Sequence, residues 1–185
     1  IIVAAALVPP LVDRTLPHAW QFAWLALAGV ALLATLGMAA GTRALPAPAS
    51  SMAAGGRFVW RRFSFALCGD LMFGLGYIGY MTFNITLLRE QGMPRTGITG
   101  FYMLLGAGVV ASSWLWAGLL QRHRGGAPMA VLNALLALAT LLPVLSASVP
   151  AAFASGALFG CVFLSVVAST TALVRHNLDA AAWPA

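Results

Sequence analysis

Three polar residues set the chemistry this chain can do. Asp70, Tyr77 and Asn84 stand seven residues apart. Seven residues are nearly two helical turns, so on a helix all three share one face, with about 20° of drift per step. Tyr80 lies about 60° round the helix from Tyr77 at ~100° per residue. An acid, two phenols and an amide on one stripe suit a ligand-binding wall or a site of ion coupling. They do not suit bond-making chemistry. The sequence has no GxSxG, no HExxH and no second acid within a span to pair with Asp70, so an enzyme is not expected. His18, His123 and His176 fall in or beside loops on both sides of the expected membrane, so they do not form one metal site, and no cofactor is implied.

The element that positions the stripe is the apolar run between Arg62 and Arg89. As a helix it would be about 39 Å long at ~1.5 Å per residue. That is enough to cross a hydrocarbon core of about 30 Å with some tilt. Asp70 would sit roughly 12 Å past Arg62 by helical rise. A charge at mid-membrane costs about 2.5–3.5 kcal/mol on insertion scales, so Asp70 should face a bundle interior or a watery cavity. Three readings of it are open: a proton- or ion-coupling acid, a contact for a cationic substrate, or a structural ion pair with Arg62, Arg122 or Arg175. Such a pair would also serve as a gate latch, and a depth nearer one third than the centre suits it. For Asn84, interhelical hydrogen bonding stands beside ligand contact.

Composition fixes the class. Apolar residues make up 61% of the chain and charged residues 8%. A soluble domain carries about 25% charged residues. The expected fold is all-α, a polytopic transmembrane helix bundle with the lipid bilayer as its main surroundings. The net charge of +6 comes from arginines placed singly or in pairs at the ends of apolar runs. That distribution points to membrane topology and away from nucleic acid. Cys68 and Cys161 lie inside apolar segments without CxxC spacing and read as small core residues.

About six spans are expected, at 1–12 (truncated), 19–40, 63–88, 97–120, 128–147 and 151–174, the fifth bent or weakened at Pro143. The chain opens inside an apolar run, without Met or a charged leader, and is expected to be an internal piece of a larger protein. Residues 41–62, rich in Pro, Ala, Ser, Gly and Arg, read as a linker. It separates two leading spans (1–40) from a trailing part (63–185). Loops on its side carry Arg43, Arg57, Arg61, Arg62, Arg122, Arg124 and Arg175, against Arg14, Arg89 and Arg95 opposite. The linker side is therefore expected to be cytoplasmic, with Arg122 and Arg124 in a cytoplasmic gate loop.

The run Gly74-Leu-Gly76-Tyr-Ile-Gly79 matches GxGxxG, but no strand precedes it, so a nucleotide site is rejected. Gly69, Gly74, Gly76 and Gly79, with Gly156 and Gly160 in the sixth span, are expected to allow close helix packing. The third and sixth spans end alike, in NITLLR and STTALVR, and run in opposite directions. That is compatible with an inverted repeat and equally with chance.

Two spans, a long basic linker and a glycine-rich span resemble the major facilitator superfamily, here the fifth to tenth helices of twelve. The stretch from Gly69 to Phe83, GDLMFGLGYIGYMTF, is similar to the YbfB/YjiJ-type branch. The resemblance implies a partial major-facilitator fold. It implies a secondary transporter of the bacterial inner membrane that moves a small-molecule substrate by alternating access, with protons as a possible coupling ion. A scaffold or enzyme without transport is the alternative. The family's loop signature, G-x-x-x-D-R-x-G-R, is altered. In Gly118-Leu-Leu-Gln121-Arg122-His123-Arg124-Gly125-Gly126, Arg122 or Gln121 stands in the place of the acid.

Overall fold

The computed structural model describes residues 2–12, 19–43, 60–123 and 125–177. Residues 44–59 of the expected linker lie outside the described residues, as do the loop 13–18, Arg124 and everything after Asn177. The described secondary structure is helical throughout: α1 (Ile2–Val12), α2 (Ala19–Thr42), α3 (Trp60–Glu90), α4 (Arg95–Leu115), α5 (Ala117–Arg122), α6 (Ala127–Leu145) and α7 (Val149–Asn177). Among the described residues five stretches are long and apolar enough to cross a membrane: most of α2, α3 and α7, all of α6, and α4 together with α5. Large apolar side chains such as Phe65, Trp114 and Val144 point outward. Such a surface suits a solvent of lipid, where nothing drives these groups inside.

The order of the elements follows from local chemistry. Helix α3 stops at a Schellman turn. The Met93 N–H donates to Leu88 O at 3.0 Å and the Gly92 N–H to Arg89 O at 2.9 Å. Gly92 takes the left-handed conformation this needs (φ 75°). Leu88 and Met93, the two apolar residues that flank the motif, are both buried. Pro94 then precedes the first residue of α4.

The span expected at 97–120 is broken at Trp116 into α4 and α5. Trp116 donates its indole N–H to Cys161 O on α7 at 2.7 Å. Ser112 O, which accepts the Trp116 N–H at 3.2 Å, also accepts the Ser165 hydroxyl at 3.1 Å. The break is thus fixed by contacts with α7. Helix α6 ends at Leu145 and helix α7 begins at Val149, so the turn expected at 148–150 moves to Ser146, Ala147 and Ser148. Ser148 Oγ accepts the Ala151 N–H at 3.4 Å, near the new start.

Helix α7 is the hub. It packs most extensively against α4 and α6, while α3 approaches it at few points. Phe101 and Leu105 of α4, Leu132 of α6, and Phe159, Val162 and Val166 of α7 are fully buried at the centre. The α4–α7 approach brings backbones together. A Cβ at Gly108 would lie 2.9 Å from Cys161 N, one at Gly156 would strike the Phe101 ring, and one at Gly160 would strike Leu105 O.

The glycines of α3 differ from expectation. A Cβ at Gly74, Gly76 or Gly79 would meet nothing within 4 Å among the described residues, and one at Gly69 would meet only Met129 Cε, at 3.2 Å. The reason is steric. Phe73, Tyr77 and Tyr80 of α3 fill the space towards α7 and hold the two backbones apart.

Candidate functional site along α3

The α3–α7 face is built from rings. Phe73 stacks on Tyr77 at 5.5 Å between centroids, and both rings meet Phe163 of α7, at 5.6 and 5.3 Å. Tyr80 stacks on Phe159 at 4.1 Å, nearly parallel at 12°. Phe159 in turn stacks on Phe163 at 5.6 Å. Spacings of four (Phe73 to Tyr77) and three (Tyr77 to Tyr80) on α3 therefore meet a spacing of four (Phe159 to Phe163) on α7, and a ladder of rings results.

A hydroxyl contact marks each end of this ladder. Towards the start of α3, Thr170 Oγ1 donates to Asp70 Oδ1 at 3.0 Å, and Asp70 is half-buried. Among the described residues the partner of this carboxylate is thus a hydroxyl and not a guanidinium. Arg122 and Arg175 are exposed. The side chain of Arg62 lies outside the described residues. Other polar residues of the spans bond within their own helix: Ser112 donates to Val109 O, Asn133 to Met129 O and Ser169 to Val166 O. Thr170 instead reaches Asp70 on another helix, a contact with no signal in the sequence.

At the other end a chain of groups crosses three helices. Pro143 sits inside α6. Its ring nitrogen has no proton to give to the carbonyl four residues back, which belongs to Ala139. In lipid a freed carbonyl must be satisfied internally, and hydroxyl side chains commonly do so. Ser155 of α7, wholly buried, donates to Ala139 O at 2.7 Å. Ser155 has one hydroxyl proton, and a carbonyl cannot supply another. Tyr80 Oη, 2.7 Å from Ser155 Oγ, is therefore the donor in that contact. Tyr80 keeps only lone pairs for any further partner.

Asn84 is 5% exposed, and its Nδ2 finds no hydrogen-bond partner among the described residues. It lines a groove of about 410 Å³ between α3 and α6, together with Gly79, Tyr80, Thr86, Glu90, Thr140 and Pro143. Of the four stripe residues, Tyr80 and Asn84 share this groove. Asp70 lies about 21 Å from Asn84 along the axis by helical rise, and neither it nor Tyr77 lines the groove. The structure thus divides the stripe into a carboxylate–hydroxyl contact at one end, a ring ladder in the middle and, at the other end, a groove where Phe83, Leu87 and Val144 stand beside the polar residues.

Long apolar helices and lipid-suited faces define a multi-pass membrane protein. The family comparison names the class more closely. The family model described as "Uncharacterised MFS-type transporter YbfB" matches residues 1–183, and the chain belongs to this family of transporters. No curated protein and no solved structure gives a significant match.

Proposed function

We propose that the protein is a secondary active transporter that moves a small solute across the bacterial inner membrane by alternating access, coupled to protons or another ion. In this reading residues 1–40 close one helix bundle, 41–62 form a cytoplasmic linker and 63–185 belong to a second bundle. Helix α3 lines the path from the second bundle. Arg122 and Arg124 stand at the cytoplasmic gate, where the loop lacks the acid that the family signature would place there. The side assignment rests on the excess of arginines flanking the linker side.

The observation that carries this reading is Asp70: an acid inside a spanning helix, half-buried, whose recorded partner is the neutral hydroxyl of Thr170. An ionisable group at membrane depth marks a substrate or ion path by default. The Thr170 hydroxyl donates to this carboxylate, and no guanidinium meets it among the described residues. Tyr77, Tyr80 and Asn84 extend the polar wall along the same helix.

The test is uptake into proteoliposomes with a proton-flux readout. Asp70→Asn is expected to abolish proton coupling and to slow uptake. Uptake in that variant that stays proton-coupled and at full rate would remove Asp70 from the mechanism.

A further inference from the structure

We propose that the groove between α3 and α6 binds a small organic cation, a protonated amine that carries one hydrogen-bond acceptor. This names a substrate class for the Tyr80–Asn84 end of the stripe and rests on the transporter reading above.

The argument is a count of protons on the groove wall. Tyr80 has given its proton to Ser155, because Ser155 has given its own to Ala139 O. Thr140 has given its proton to Ala137 O at 2.9 Å. Glu90, a carboxylate, can only accept. Thr86 adds a hydroxyl that can turn either way. Against these acceptors stands one donor, Asn84 Nδ2, buried and without a hydrogen-bond partner among the described residues. Leaving such a donor empty is unfavourable, so the site is completed by an acceptor placed beside it.

The charges sort in the same sense. Among the described residues no arginine, lysine or histidine lines the groove. Arg89, next to Glu90 in the chain, lines a separate crevice with Arg95, Val8 and Pro9. A groove with one negative charge, several lone pairs and one donor matches an ammonium group for Glu90 and a carbonyl or hydroxyl for Asn84. Its volume of about 410 Å³ lies within the range of small-molecule sites.

Three probes that share a 3-phenylpropanoyl skeleton test this on the purified protein in lipid nanodiscs. Phenylalaninamide has the ammonium and the carbonyl, 3-phenylpropionamide lacks the ammonium, and N-acetylphenylalanine is an anion. Phenylalaninamide is expected to bind at least about tenfold more tightly than either of the others, a difference of one decade in Kd. Glu90→Gln, at an exposed position, should reduce that affinity about threefold or more and flatten the preference. Asn84→Leu should weaken binding about fivefold while raising the thermal midpoint of the ligand-free protein, because it deletes an unpaired buried donor. Equal binding of the three probes, no binding of any, or a preference untouched by Glu90→Gln would overturn the proposal. So would an Asn84→Leu protein that binds phenylalaninamide as before. Counterflow of labelled phenylalaninamide in proteoliposomes separates the two readings: selective binding without uptake removes the transport reading and leaves the ligand class standing.

Discussion

Helix α7 meets its neighbours in two different ways. Against α4 it presents Gly156 and Gly160, and the backbones approach until a methyl group would collide with Phe101 or Leu105. Against α3 it presents Phe159 and Phe163, and the gap is filled by rings and closed at each end by a hydroxyl contact. The first contact has one geometry, because backbone atoms cannot yield. The second is made of side chains with rotamers and two hydrogen bonds, each worth on average about 0.6 kcal/mol in membranes. The α4–α7 contact is fixed by backbone, whereas the α3–α7 face, where the polar stripe lies, is held by side chains.

The contrast can be broken most severely at Gly160. Gly160→Val should destabilise the protein by about 3 kcal/mol, the upper range for overpacking. It should appear as a lowered thermal midpoint and loss of a single peak on size exclusion. An unchanged midpoint would mean that α4 and α7 can part at little cost. Next comes Ser155→Ala, which leaves Ala139 O and the Tyr80 hydroxyl without their partner, at about 2 kcal/mol. In a Pro143→Ala background the same change should cost less, since the restored backbone N–H then serves Ala139 O. A double-mutant cycle reads that coupling directly. Thr170→Val should cost only about 0.6 kcal/mol in stability, yet slow uptake, because it removes the hydroxyl that holds Asp70. An uptake rate identical to the unmodified protein would confine Thr170 to packing. The smallest effect is expected at Gly74→Ala, which should stabilise α3 by about 0.5 kcal/mol through helix propensity alone. A loss there would reveal a close neighbour of α3.

Much of this was legible in the residues. Hydropathy located the spans to within a few residues, and heptad spacing put Asp70, Tyr77 and Asn84 on one helix. Gly92 and Pro94 marked the turn after α3, because a left-handed residue and a missing donor are local properties. The break at Trp116 was not legible, since no glycine or proline stands there and its cause is a carbonyl on another helix. Glycine spacing likewise did not reveal which glycines are opposed. Gly108 faces the α7 backbone and Gly76 faces open space, yet both are glycines in apolar spans. Pro143 announced that Ala139 O would lack its usual donor. That Ser155 would supply one depends on how α6 and α7 meet, which no single segment records.

Pro143 has an effect well beyond its own turn. A proton is missing from the ring nitrogen, and each group along the line fills the vacancy behind it and passes it on. Ala139 takes a proton from Ser155, Ser155 takes one from Tyr80, and the deficit surfaces on the groove wall as a bare lone pair. The polarity of that wall is therefore written in α6 and read out on α3, two helices away. Exchanging one ring for an ordinary backbone amide would release Ser155 and Tyr80 to point either way. The groove would then lose its sense of which partner should give a proton and which should take one.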